Sequence, residues 1–302
     1  IRALAIRPDY LEGSDATDHV FVGTRGGGVH RSLNGGGTWE PINWGLRGDG
    51  LSIRQLAISP NFASDSTLFV GTDAGLFKTH TPLASDRRDV SWFIAGNLTT
   101  GLGAQNQDQA VDSSAIVPPP GDGFQPSGLA GAFDQVAGGG LTAQALDSVT
   151  AVALSPLYNE NAPSGGAQTT LFAGVWGGGV FRSTDKGATW TAVNTGLESR
   201  LIRSLALSPY YGTGTDRTVY ASTFDNRVFV SRDNGQTWQQ FGGTIDTRDV
   251  ATLLAVPTSM TAANNEYTVY AGTAGRGVFG YTNPQVAAVP QAFLPAIRRN
   301  GG

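Results

Sequence analysis

Short segments in which apolar and polar residues alternate recur along the chain, separated by glycine-rich turns. Their β-branched and aromatic content favours strands. One kind of segment, strand A, ends shortly before a proline and has alanine at a matching position: Ala5, Ala57, Ala153, Ala206 and Ala255. A second kind, strand B, follows after a variable loop and begins at Val20, Leu68, Leu171, Val219 and Val269. The pattern predicts a repeated antiparallel unit.

The recurring alanine indicates how the repeats are arranged. In a β-propeller the innermost strands converge on an axis, and a bulky side chain at the crowded position would collide with its neighbours. An ordinary sandwich strand would not require alanine in every copy. We therefore predict an all-β fold, a single β-propeller of four-stranded antiparallel blades, with five blades and with six as the alternative.

An octapeptide marks the turn after strand C. Residues 183–190 read S-T-D-K-G-A-T-W, residues 231–238 repeat the pattern, and residues 32–39 match it with asparagine for aspartate. Its Ser and Asp can cap turn amides, its Gly can adopt a positive φ, and its Trp begins strand D and is expected to pack between blades. The predicted structural positions are Ser32, Asn34, Gly36, Thr38, Trp39, Ser183, Asp185, Gly187, Thr189, Trp190, Ser231, Asp233, Gly235, Thr237 and Trp238.

The repeats are interrupted once. The alanines lie 52, 96, 53 and 49 residues apart, so the second interval is about 45 residues longer than the others. We interpret the excess, at about 103–147, as an insertion, with a degenerate sixth blade as the alternative. The predicted domains are a propeller over 1–282 and a C-terminal linker and tail over 283–302. Residues 292–297 of the tail could supply the last strand, and an unclosed ring would leave edges that invite association.

Composition excludes several classes of partner. The 302 residues suit one β domain, and a net charge of −4 gives no basic surface for nucleic acid or for an anionic membrane. The absence of cysteine excludes disulfides and thiolate metal sites and is compatible with export. No apolar run of about 18 residues is present, so we expect no direct membrane insertion.

On the octapeptides and the strand pairs, the chain resembles the Asp-box (bacterial neuraminidase repeat) β-propellers over about 1–282, apart from the insertion. That group includes sialidases, xyloglucanase-type glycoside hydrolases, sortilin-type receptor domains and photosystem II assembly factors. The resemblance implies a protein exported from a bacterial cell and located outside the cell or at its surface. Because the group mixes enzymes with binding modules, the fold does not choose a function.

The catalytic motifs of the group are not found. A sialidase would be expected to carry a Phe-Arg-Ile-Pro stretch, and the nearest string contains Arg7, which occupies a slot that is serine in three other repeats. Xyloglucanase-type enzymes use two propellers that face one cleft, and this chain supplies one. The histidines His19, His30 and His80 lack metal-ligand spacing, so we expect no metal and no cofactor.

A binding site can still be located from the geometry of a propeller. The hairpins between strands B and C share one face with the connections from strand D to the next strand A, and active sites of the group lie on that face. The hairpin residues vary among the repeats, as they do in recognition loops. The ligand-binding candidates are Arg25, Asp73, Trp176, Phe224, Asp225, Arg227 and Arg276.

The function favoured by these features is non-catalytic. We expect an exported propeller that serves as a protein-interaction or structural module of a cell-surface or extracellular assembly. The first alternative is a glycan-binding protein or a glycoside hydrolase acting at the hairpin face, where aromatic and charged groups suit carbohydrate as well as protein. The second is an assembly factor for a membrane complex.

Overall fold

Five antiparallel sheets of four strands each make up the fold. The computed structural model describes residues 1–11, 18–95, 148–241, 250–258, 266–274, 277–282 and 294–295. Their strands are β1 (Ala3–Ile6), β2 (Val20–Gly23), β3 (Val29–Ser32), β4 (Glu40–Pro41), β5 (Ile53–Ile58), β6 (Leu68–Thr72), β7 (Gly75–Thr79), β8 (Phe93–Ile94), β9 (Val149–Leu154), β10 (Leu171–Val175), β11 (Gly179–Ser183), β12 (Thr191–Ala192), β13 (Ile202–Leu207), β14 (Val219–Thr223), β15 (Val228–Ser231), β16 (Gln239–Gln240), β17 (Val250–Pro257), β18 (Tyr267–Thr273), β19 (Gly277–Thr282) and β20 (Leu294–Pro295).

Each sheet is one blade, in which the four strands follow chain order and pair with their sequence neighbours. The prediction of an all-β, five-bladed propeller is confirmed. In the described ranges, helix is confined to α1 (Phe62–Asp65) and to 3₁₀ turns at Gly48–Leu51, Arg87–Asp89 and Ala167–Thr169. No helix in the described part of the chain is long and apolar enough to cross a membrane. The predicted insertion at about 103–147 lies outside the described residues, as does the tail apart from β20.

The hydrophobic core lies between consecutive blades. Alternation within each strand sends side chains to opposite faces of the sheet, and each face packs against a neighbouring blade. In the contact between the third and fourth blades, for example, Phe172 of β10 packs with Tyr211, Ile202 and Trp238 of the fourth blade. Corresponding clusters join the first blade to the second, the second to the third and the fourth to the fifth.

The alanine alignment of strand A is correct in four blades and wrong in the fifth. The alanines of β1, β5, β9 and β13 pair across the sheet with Phe21, Phe69, Phe172 and Tyr220. In β17 the residue at that position, paired with Tyr270, is Leu254 rather than Ala255. Leu254 is 58% exposed, whereas Ala206 in the fourth blade is buried. Alanine is therefore found at this position in the four blades that are followed by another blade along the described chain.

The octapeptide forms the same hydrogen-bonded turn in three blades. In the fourth blade, Ser231 Oγ donates to Asp233 Oδ1 and accepts from the amide of Gly235, at 2.8 and 2.7 Å. Asp233 in turn accepts from the amide and the hydroxyl of Thr237, at 2.9 and 2.6 Å. Gly235 has φ of 80°, which glycine adopts at little cost. Residues 32–38 and 183–189 repeat this network, and Asn34 Nδ2 donates to Thr38 Oγ1 where the aspartates accept.

The turn aspartates predict a dependence of stability on pH. Burial opposes ionisation of Asp185 and Asp233, but the hydrogen bonds from threonine and serine outweigh it and lower the pKa of both carboxyls. A carboxyl with a lowered folded-state pKa stabilises the protein above its unfolded-state pKa and loses that effect as the pH falls through its folded-state pKa. We therefore expect D185N/D233N to lose less thermal stability than the wild type between about pH 5 and pH 2.

A reverse substitution is the control for this effect. Asn34 occupies the same turn position in the first blade and cannot titrate, so N34D should make the protein more sensitive to acid. Thermal unfolding of the variants at a series of pH values measures both changes. Equal acid sensitivity of D185N/D233N and the wild type would show that these carboxylates do not control stability at low pH.

Tryptophans at the start of strand D link consecutive blades. The indole nitrogen of Trp238 donates to the carbonyl of Val193 in the preceding blade, at 2.7 Å, and that of Trp190 donates to Ala95 at 2.8 Å. Trp92 donates to Ile42 at 2.6 Å, although the second blade has no octapeptide. Trp39 differs from the expected packing between blades. Its indole donates to Gly36 in its own turn, and 43% of the side chain is exposed.

Candidate functional site

Backbone hydrogen bonds fix the hairpins between strands B and C against the following blade. Trp176 forms an antiparallel bridge with Leu201, which precedes strand A of the fourth blade. The carbonyl of Leu201 also accepts from the amide of Phe224 at 2.8 Å. Arg25 bridges to Ser52 in the same way between the first and second blades. The hairpin residues are therefore held by the scaffold and are not on free loop tips.

An exposed aromatic pair joins the third and fourth hairpins. The rings of Trp176 and Phe224 have their centroids 4.6 Å apart and are inclined at 70°, an edge-to-face contact. The guanidinium carbon of Arg203 lies 5.2 Å from the centroid of Phe224, within the range of a cation–π contact. Trp176 is 47% exposed and Phe224 38% exposed. Both rings thus hold a defined orientation and still present apolar surface to solvent.

Asp73, on the second hairpin, is engaged by two neighbours. Arg54 forms a bidentate pair with its carboxylate, at 2.6 and 3.0 Å, and the hydroxyl of Ser148 donates to it at 2.7 Å. Burial opposes ionisation of the carboxyl, but these hydrogen bonds and the positive charges of Arg54 and Arg25 outweigh burial and lower the pKa of Asp73. Because Ser148 enters the third blade, Asp73 also connects two blades.

The fourth hairpin carries an ion-paired group. Arg227 contacts Glu198, from the connection between strands D and A, and its Nε lies 3.6 Å from Asp225 Oδ2. Asp225 also accepts from the hydroxyl of Thr223. These side chains are well exposed, so the pairs contribute little to stability and leave polar groups accessible. Arg25 is exposed on the first hairpin, and Arg276 lies outside the described residues.

Two arginines of this face were missed from the sequence. Arg54 and Arg203 lie at register shifts in β5 and β13, where a bulge leaves the residue outside the regular pairing. Bulges are frequent next to active sites, where they change the direction of a side chain. The sequence does contain a signal for them. In three blades the residue three positions before the strand A alanine is arginine, namely Arg2, Arg54 and Arg203.

The two candidate carboxylates of this face can be compared with those of a glycoside hydrolase. A glycoside hydrolase needs one carboxyl with a raised pKa as its general acid and a second carboxylate nearby. The carboxylates of Asp73 and Asp225 are both paired with arginine, and the pKa of Asp73 is lowered. In the described ranges, no three His, Cys, Asp or Glu side chains lie close enough together to hold a metal ion.

Comparison with known proteins supports the repeat and the fold. The BNR/Asp-box repeat matches residues 229–240, which contain the octapeptide of the fourth blade. No curated protein matches the chain in sequence. The match places an Asp-box repeat in the fourth blade of the five-bladed β-propeller.

Solved structures share this fold at low identity. A GH74 enzyme of Niastella koreensis is 14% identical with a TM-score of 0.54, over 94% of this chain and 36% of that one. The GH74 xyloglucanase of Xanthomonas campestris is 14% identical with a TM-score of 0.53, over 93% and 36%. An auxiliary nutrient binding protein of Bacteroides thetaiotaomicron is 12% identical with a TM-score of 0.52, over 94% and 55%. The chain thus spans about a third of the two GH74 chains.

Proposed function

We propose that this Asp-box β-propeller is a non-catalytic, exported binding module that docks a partner protein on its hairpin face, as part of a cell-surface or extracellular assembly. The observation that carries the proposal is the exposed edge-to-face pair of Trp176 and Phe224, oriented by Arg203. Tryptophan and arginine are over-represented among the residues that dominate binding energy at protein interfaces.

The aromatic pair is large enough to anchor a partner. A tryptophan side chain buries about 250 Å² when fully covered, so roughly half of that area remains available on Trp176. At about 25 cal/mol per Å², covering it would contribute about 3 kcal/mol. The ring contact with Phe224 already restricts the indole, and the bridge to Leu201 fixes the backbone of Trp176, so little conformational entropy is lost on binding.

The surrounding charges suit recognition better than catalysis. Asp73 and Asp225 each accept hydrogen bonds and form arginine pairs, which orients both carboxylates, and the pKa of Asp73 is lowered. A polar rim of this kind around an apolar centre is the usual composition of a protein interface. A general acid would require the opposite environment, one that favours the protonated carboxyl.

Polysaccharide is the second candidate ligand. The specific observation in its favour is a half-exposed indole on the same face as ion-paired carboxylate and guanidinium groups, because a sugar ring can cover an aromatic face while its hydroxyls bond to such groups. The nutrient binding protein shares only the fold with this chain, so the likeness does not assign polysaccharide as the ligand.

Gentle isolation of the native particle tests the proposal. Its mass would be measured by light scattering and its components identified by mass spectrometry. A defined complex with partner proteins is expected. A free monomer that binds no protein, but whose migration is retarded in gels containing soluble polysaccharides, would favour the second candidate.

Immobilised variants connect the partner to the hairpin face. The wild type, W176A and L157A would be exposed to cell-surface extract of the source organism. Leu157 is a matched control, since it is 40% exposed and lies in the loop between β9 and β10, at the opposite end of the third blade from the hairpin. We expect the partner to be retained by the wild type and L157A and lost from W176A. Retention by all three would place the binding surface elsewhere.

A further inference from the structure

The two faces of each blade play different roles in the core. We call the face that packs on the next blade in the chain the forward face and the other the backward face. Phe21, Phe69, Phe172 and Tyr220 lie on forward faces. Each forms an inclined ring contact with an aromatic residue of the next blade, at centroid distances of 5.8, 5.8, 6.0 and 6.4 Å. Their partners are Phe62, Tyr158, Tyr211 and Tyr267. One interface is therefore repeated from blade to blade.

Polar contacts between innermost strands follow the same repeat. Gln55 Oε1 accepts from the amide of Val152 in the next blade, at 3.1 Å. Ser204 Oγ accepts in the same way from the amide of Leu253, at 3.0 Å. In the fifth blade, the residue equivalent to Gln55 and Ser204 is Thr252. In the first blade, the residue equivalent to Val152 and Leu253 is Leu4. Thr252 is exposed.

The backward face of the first blade is uncovered at its innermost strand. Leu4 is 58% exposed and Ile6 47% exposed. The residues at the position of Leu4 in the four later blades are at most 6% exposed, namely Leu56, Val152, Leu205 and Leu253. Trp39, on the same face, is the half-exposed tryptophan whose counterparts bond to a preceding blade. The first blade therefore has, on its backward face, the residues that contact a preceding blade in the other junctions, and here these residues are exposed.

The forward face of the fifth blade is uncovered in the same way. Leu254 and Val256 of β17 are exposed, and Tyr270, at the position of Phe21 and Tyr220, is partly exposed and makes no ring contact within the described ranges. Outside the hairpin site, most of the exposed large apolar side chains of the described residues therefore lie on two faces. These faces differ from each other and correspond to the two halves of one repeated interface.

We propose that the forward face of the fifth blade docks on the backward face of the first blade of a second copy of this chain. The contact continues the interface that joins the blades within the chain. The two faces belong to one compact unit, and within the described ranges they do not cover each other, since Leu4 and Leu254 remain more than half exposed. Because unlike faces meet, the association is head to tail and each copy keeps one free face for the next. It uses a different surface from the hairpin site.

Cysteine cross-linking tests this arrangement directly, because the chain has no native cysteine. L4C and T252C would be made as separate full-length variants, mixed and oxidised. We expect a covalent dimer containing one copy of each, identified by mass spectrometry, and the L4C/T252C double variant should form a ladder of longer species. A mixture of T252C with L157C, on a distant loop, is the control and should remain monomeric.

Two results would overturn the proposal. If the double variant forms a disulfide but migrates as a monomer, the fifth blade closes on the first blade of its own chain. If no cross-link forms under conditions where both thiols react with a maleimide, the faces do not meet. Light scattering supplies a second measurement, since L254D should raise the concentration needed for association at least 10-fold without changing the thermal melt.

Discussion

Replacing Trp238 with alanine is expected to lower the free energy of unfolding by about 3–5 kcal/mol. The side chain is 3% exposed and packs in the core between the third and fourth blades. Its removal leaves a cavity there and also leaves the carbonyl of Val193 without the 2.7 Å hydrogen bond from the indole. Both effects act at a junction between blades, so the loss is measurable by equilibrium denaturation in urea.

Trp39 is the matched control for this substitution. It occupies the same octapeptide position in the first blade, but it is 43% exposed and bonds within its own turn. W39A should therefore cost about 0.5 kcal/mol or less at concentrations where the protein is monomeric. Similar losses for W39A and W238A would mean that the tryptophan stabilises its own turn and does not link two blades.

The substitution W176A is expected to weaken binding of the partner protein at least about 30-fold, the effect of losing an anchor worth about 2 kcal/mol. Phe224 contacts the ring of Trp176 and belongs to the same surface, so F224A should also weaken binding. Neither change should lower the thermal stability much, because both rings are substantially exposed.

Titration calorimetry with the partner identified by capture measures this effect. L157A, which is altered at the opposite end of the third blade from the hairpin, should bind like the wild type. If W176A bound normally, the aromatic pair would not be part of the interface. If W176A failed to fold, Trp176 would have to be regarded as a core residue despite its exposure.

The propeller could be predicted from the sequence because its repeats are local patterns. Strand alternation, the alanine position and the octapeptide each report on a few neighbouring residues, and their repetition specifies the blade. The fifth strand A was misaligned because alanine was matched by identity at Ala255. The structural position belongs to Leu254, whose side chain is 58% exposed in the single chain.

The hairpin face could be predicted only in outline. Its residues follow from strand order, but Arg54 and Arg203 reach it through bulges, which shift side chains without leaving a clear sequence mark. The ring contact between Trp176 and Phe224 joins two blades and depends on the angle between them. The exposure of Trp39 likewise depends on its neighbours in space, and its octapeptide resembles the buried copies.

Amide hydrogen exchange of the chain with and without its partner tests the assignment of the binding face most directly. We expect slower exchange in the hairpins around Trp176 and Phe224 and in the segment around Leu201 that connects them. The octapeptide turns at residues 183–190 and 231–238, on the opposite face, should exchange at unchanged rates. Protection of those turns with unchanged hairpins would contradict the proposal that this propeller binds through its hairpin face.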